Sequence, residues 1–204
     1  MIALTTSRQR FFVNRILPYR LDAIEVMGVA VRFSSSWTTP VHMEIRFDGK
    51  LLIEGLSTGY TNPAIEAGII HCRALLEFLG LRGSRADHTK LAQREKAKGH
   101  GDDLLIEDFA TAHDGALALV SPADAIASYL GPPAEAERAF ARVIHVANKG
   151  LAHSTVGLTA DTADHHLLEL VSRGVRGMFV RHFYAPLGLA PPRQMLKGRR
   201  RDAK

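Results

Sequence analysis

Residues 134–155, AEAERAFARVIHVANKGLAHST, constrain this chain most, because one period there governs both packing and chemistry. At about 100° per residue, Phe140, Val143, Ile144, Ala147 and Leu151 fall on one side of a helix. Arg142, His145, Lys149 and His153 run down the opposite side as a narrow stripe. A segment patterned in this way has to bury its apolar face against other elements, and it leaves a polar stripe that can grip a partner.

The remaining periods extend the helical reading. Thr5, Thr6 and Ser7 offer N-cap oxygens to a helix that Pro18 should interrupt, with Leu17 pushed out of the helical region. Beyond the proline, Leu21, Ile24, Met27 and Val31 recur at helical spacing, although Val29, Val31 and Phe33 also alternate as a strand would. From Val41 the period is two, and Asp48-Gly49 supplies a tight turn before KLLIEGL. This predicts a β-hairpin near residues 41–56, and since a lone hairpin is marginal in water, its apolar face is expected to lie on helices. Asn62-Pro63 reads as the opening of a helix and Gly80 as its stop, with Ile65, Ile69, Cys72, Leu76 and Leu79 on one face. The charged stretch 81–103 reads as an exposed linker with a short helix near 89–98. Ser121-Pro122 begins a short helix. A last one follows Asp161, with Leu167, Leu168, Val171, Val175, Met178 and Phe179 on its core face.

These elements predict a mainly α fold, a helical bundle of four to five principal helices with one small β-hairpin. Residues 1–192 form one helical domain and 193–204 a basic flexible tail. The tail carries six basic residues against one acidic, Asp202, which accounts for the whole net charge of +5 and leaves the body neutral. A basic composition overall is therefore weak support for a nucleic-acid partner. No run of apolar residues is long enough for a membrane span, the N-terminus lacks the pattern of a signal peptide, and the lone Cys72 suits a reducing cytoplasm.

Ten histidines are many for 204 residues, yet no HExxH or CxxC spacing occurs, so neither a metal nor another cofactor is expected. Phosphate-binding glycine loops and the GxSxG elbow are absent as well. What stands out is ANKGLAHST with Arg142 and His145 upstream. In its helical setting it resembles the HEPN domain, a helical bundle found in many prokaryotic toxins and RNA-cleaving defence proteins. That family's signature is an arginine, usually followed by a polar residue, and then a histidine, with four to six residues between the arginine and the histidine. Here Asn148 holds the place of the arginine, Lys149 follows it, and His153 is the histidine.

The resemblance implies binding of RNA or nucleotide, metal-independent ribonuclease chemistry in a toxin or defence system, an antitoxin or other protein partner, and a homodimer. Cleavage by internal transesterification needs a base for the 2′-hydroxyl proton and a cation for the charge on phosphorus. His153, Lys149 and Arg142 are the candidate catalytic residues. Asn148, His145 and Arg73 are candidates for binding substrate, Arg73 because it lies on the polar stripe of the 62–80 helix, where it can either pair with Glu77 or approach His153 across packed helices. A non-catalytic helical scaffold or regulator, working through protein contacts, is the competing class.

Removing residues 193–204 is expected to leave the thermal midpoint unchanged and to weaken only salt-sensitive, sequence-independent binding to nucleic acid. A large drop in melting temperature on truncation would show instead that the tail docks on the body.

Overall fold

The first described helix opens on a reciprocal cap. Thr6 Oγ1 accepts from the Gln9 amide at 3.1 Å while Gln9 Oε1 accepts from the Thr6 amide at 2.9 Å, starting α1 (Ser7–Phe11). The protein is seen here as a computed structural model, which describes residues 6–95, 103–111, 115–129, 131–151 and 162–194. Pro18 does not break the helix as its sequence position suggests. A π-turn at Phe12–Ile16 precedes it, the Leu17 amide bonds the Phe12 carbonyl, and Leu17 stays helical at φ −64° and ψ −46°. The wider turn takes up the site where proline crowds the preceding carbonyl and has no N–H to donate. From there α2 (Leu17–Ser34) is continuous, so 29–33 is helix and not strand.

The predicted hairpin is present as β1 (His42–Phe47) and β2 (Lys50–Leu56), antiparallel and closed by the pair Phe47 and Lys50. Asp48 and Gly49 both take positive φ, 48° and 75°, the conformation that matches a two-residue turn to the twist of its strands. Its expected burial on helices is not observed. All seven residues of β2 are exposed, and on β1 only Met43 and Ile45 are half-buried. The hairpin is tied at its base, where the Ser57 amide donates to the Val41 carbonyl at 2.8 Å and the Val41 amide to Ser57 Oγ at 3.1 Å.

Immediately after that tie, α3 (Thr58–Phe78) starts a turn earlier than Asn62-Pro63 indicates, with the Ser57 carbonyl accepting from the Thr61 amide at 2.9 Å. Pro63 lies inside the helix and cannot donate to the Gly59 carbonyl. Gly80, at φ 95°, ends α3 as expected. The next stretch is neither linker nor helix in its described part: β3 (Leu81–Gly83) pairs antiparallel with β4 (Leu91–Gln93), and Leu81 and Leu91 are buried. Two leucines entering the core pull this charged segment onto the body. Two further short strands pair, β5 (Ala110–Thr111) with β6 (Gly115–Ala116), ahead of α4 (Pro122–Ala127), which Ser121 caps. Then come α5 (Pro133–Val146), continued by a π-turn at Ala147–Leu151, and α6 (Thr162–Phe179), continued by one at Val180–Tyr184.

The body is a mainly α bundle in which α2 packs on α3 and α6, and α5 packs on the same two helices. Glycine sets the spacing at two of these contacts. A Cβ on Gly68 of α3 would lie 2.2 Å from Met27 Cβ of α2, and one on Gly174 of α6 would lie 2.6 Å from Phe140 Cζ of α5. At one end of the core, the Phe78 ring stacks on Phe12 at 4.8 Å and meets Phe109, Phe179 and Phe183 at 5.8, 5.6 and 5.4 Å. No helix among the described residues is long and apolar enough to cross a membrane.

Phe78→Ala should remove all four ring contacts and leave a cavity that rigid helices cannot close. The expected loss is about 3 to 5 kcal/mol of unfolding free energy, read from chemical denaturation with an unchanged m-value.

Candidate functional site

The stripe on α5 forms as its period dictates. Ala136, Ala139, Phe140, Val143 and Ile144 are buried, while Arg142 and His145 are half-buried on the other side and Lys149 is exposed in the π-turn that follows. A histidine from elsewhere joins them. The loop between β3 and β4 is folded on itself by Ser84 Oγ, which accepts from the Ala86 and Asp87 amides, and by Asp87 Oδ1, which accepts from the Thr89 amide and hydroxyl. Glu137 of α5 then holds the end of the loop, accepting from Lys90 Nζ at 2.9 Å and from the Leu91 amide at 3.2 Å. This placement lays the His88 ring on His145 with centroids 4.5 Å apart.

Burial lowers the His145 pKa from its ordinary value, and the charges of His88, Arg142 and Lys149 lower it further. His145 is thereby held as a neutral imidazole at neutral pH, able to accept a proton or a hydrogen bond amid cationic neighbours.

Arg142 links this stripe to a cavity of about 470 Å³. Its guanidinium is held by Asp164 of α6 through two parallel bonds of 2.9 Å, Nε to Oδ1 and Nη2 to Oδ2. The floor is the first half of α3, with Ser57, Thr58, Thr61, Asn62, Ile65, Glu66 and Ile69. One wall is the segment after α2, including Trp37, Thr38, Thr39 and Pro40, with the Trp37 ring stacked on Phe33 at 5.9 Å. The other is made by Arg142 and Val146 of α5 with Asp164, His165 and Leu168 of α6. His165 Nδ1 and Ser35 Oγ form a 3.1 Å hydrogen bond that joins the two walls. Hydroxyls, one amide, an aromatic ring and an ion pair thus converge on a space large enough for a small organic ligand.

The other sequence candidates are placed as follows. Asn148 is half-buried in the π-turn with Lys149. Arg73 does not line the cavity; its Nε donates to Glu77 Oε1 at 2.9 Å, the pairing of residues one turn apart on a helix. His153 lies outside the described residues, and so does the expected approach of Arg73 to it. His182 is half-buried, and its Nε2 is 3.0 Å from Ser128 Oγ in a hydrogen bond. Among the described residues no group of three His, Cys, Asp or Glu side chains is placed to hold a metal ion. His88, Trp37, Asp164 and His165 were not singled out from the sequence as parts of the site. No motif marks them, and each comes from an element distant in sequence from the others or from the stripe.

The comparisons with known proteins add no relative. No family model, no curated protein and no solved structure matches the chain.

His71 and His182 share the condition of His145: burial is the first cause that lowers each pKa from 6.5. A histidine with a depressed folded value contributes stability that is full above 6.5 and is lost as the pH falls from there through the lowered value. The thermal midpoint should therefore decline as the pH is taken below 6.5, and less steeply in His145→Gln. An identical slope in that variant would show that protonation of His145 is not coupled to folding.

Proposed function

We propose that this chain is an HEPN-like RNA-binding protein that cleaves single-stranded RNA without a metal, with Arg142 at the centre of its binding face. The observation that carries the reading is the position of Arg142. It stands where the cavity walled by Trp37 meets the stripe formed by His145 and Lys149 with His88.

A base has apolar and aromatic surface to pack on in such a cavity, and ribose hydroxyls have Thr and Ser partners. Phosphates can follow the cationic side chains outward. Asp164 holds the Arg142 guanidinium in a fixed orientation, so a phosphate meets it without the entropy cost of ordering a free arginine. His145, neutral among cations, can hydrogen-bond the 2′-hydroxyl, and Lys149 can balance negative charge on phosphorus. In the HEPN resemblance the general base is His153, with Asn148 in the place of the family's arginine, so that the cationic role passes to Lys149 and Arg142.

One observation favours the scaffold reading: Arg142 and Arg73 both direct their charge to internal carboxylates.

Cleavage of a mixed single-stranded RNA in EDTA separates the two. Wild type is expected to cut, His153→Ala to lose about a hundredfold or more in rate, and a 2′-deoxy substrate to stay intact. Lys149→Ala should slow cleavage while binding, measured by fluorescence anisotropy, weakens only modestly. Equal cleavage by wild type and His153→Ala would expose a contaminant. Absence of both binding and cleavage in the wild type would leave the scaffold.

A further inference from the structure

We propose that the open edge of β1 pairs with the same edge of a second copy of this chain. The two hairpins then form one four-stranded antiparallel sheet, with its two-fold axis at Ile45. This inference rests on the hairpin alone and stands or falls separately from the RNA reading.

The hairpin is incomplete by itself. Phe47, Leu52, Ile53 and Leu56 are 64, 60, 54 and 59% exposed, a concentration of large apolar side chains on a two-stranded ribbon that the helices do not cover. A two-stranded sheet is marginal in water, and three or more strands with an apolar face are what normally sustain one. Among the described residues each strand has only the other as a neighbour, so each presents an edge of unpaired N–H and C=O groups.

The two edges differ. β2 is blunted: its register shifts so that Ile45 faces Ile53 while Arg46 faces Leu51, leaving Leu52 as a bulge, and it also carries Lys50 and Gly55. β1 has no lysine, proline, glycine or bulge between His42 and Phe47, which leaves it the regular edge.

Its sequence is also self-complementary. About Ile45, the order MEIRF is apolar, acidic, apolar, basic, apolar, and the reversed order places a basic residue wherever the forward order has an acidic one. Antiparallel pairing of two copies on that centre sets Ile45 against Ile45, Glu44 against Arg46 in both directions, and Met43 against Phe47 in both directions. Opposite charges and apolar pairs at directly facing positions are the combinations that stabilise neighbouring strands. Because side chains alternate, Met43, Ile45 and Phe47 of both copies share one face of the joined sheet and Glu44 and Arg46 the other. A one-residue slip in either direction sets Glu44 and Arg46 against apolar residues, so the charges select the register as well as the partner. The second copy is preferred to an unrelated strand because it supplies this pattern without any further requirement.

Sedimentation of the full chain across about a hundredfold range of concentration tests the assignment. The wild type is expected to be a reversible dimer. Glu44→Arg should be monomeric, because arginine then faces arginine twice across the axis. The double variant Glu44→Arg/Arg46→Glu should restore the dimer. Glu44 faces Glu54 on β2, so an arginine there removes a like-charge pair while giving up the 2.8 Å bond from Arg46 Nε to Glu44 Oε2 within β1, and the double variant returns an opposite-charge pair to positions 44 and 46. Unchanged circular dichroism checks folding.

Ile45→Cys provides a second readout that does not depend on charge. Cys72, the sole native cysteine, is fully buried, so mild oxidation should yield a covalent dimer through position 45, and much less through Leu52→Cys. A wild type that is monomeric throughout, a dimer that survives Glu44→Arg, or failure of the double variant to restore it would each overturn the proposal.

Discussion

The fold depends on the ring cluster centred on Phe78, which joins the N-terminal helix and the end of α6 to the middle of the chain. Phe78 closes α3, and its ring touches Phe12 from the N-terminal turn, Phe109 from the segment ahead of β5, and Phe179 and Phe183 from the end of α6. Each offset or edge-on pair contributes about 0.5 to 1.5 kcal/mol beyond the area it buries. The greater consequence is geometric: with its C-terminal end fixed in this way, α3 becomes the helix against which the others are set. The hydrogen bonds around its end agree, since the Leu79 and Gly80 carbonyls accept from the Val120 and Arg94 amides at 2.9 and 2.8 Å.

From that anchor the position of the cavity follows. The half of α3 remote from Phe78 carries hydroxyl and amide side chains where the other half carries large apolar ones, and the cavity opens over that polar end. Gly68 brings α2 close to α3 near the middle, and the segment from Ser34 to Pro40 then has to pass over the open end. The bidentate pair between Arg142 and Asp164 fastens α5 to α6 there. A partly buried pair of this kind offsets its own desolvation only through good geometry, and its lasting effect is to fix where the guanidinium points.

Much of this was legible in the residues. The helical periods predict the four long helices and their buried faces, the Asp48-Gly49 dipeptide predicts the turn of the hairpin, and the stripe of Arg142, His145 and Lys149 has the polar exposure its spacing implies. Three local readings failed for identifiable reasons. Proline rules for Pro18 and Pro63 describe an isolated strand of chain, whereas here a π-turn absorbs one ring and a turn begun at Ser57 absorbs the other. The 81–93 stretch looked like linker because charge dominates its composition, yet Leu81 and Leu91 reach the core and enforce pairing. The hairpin looked like a cover for helices because its strands are apolar, and it projects from them.

The sequence by itself determined which face of each helix is apolar, where the hairpin turns and where the net charge lies, since these follow from side-chain spacing along a single segment. Only the tertiary structure decided which partner meets each face. His88 reaches His145 through a loop held by Glu137, Arg142 is taken by Asp164 twenty-two residues on, and the cavity draws its lining from α3, α5, α6 and the segment after α2. Such meetings have no period in the chain, because they are fixed by the packing of separate elements and not by the spacing within one.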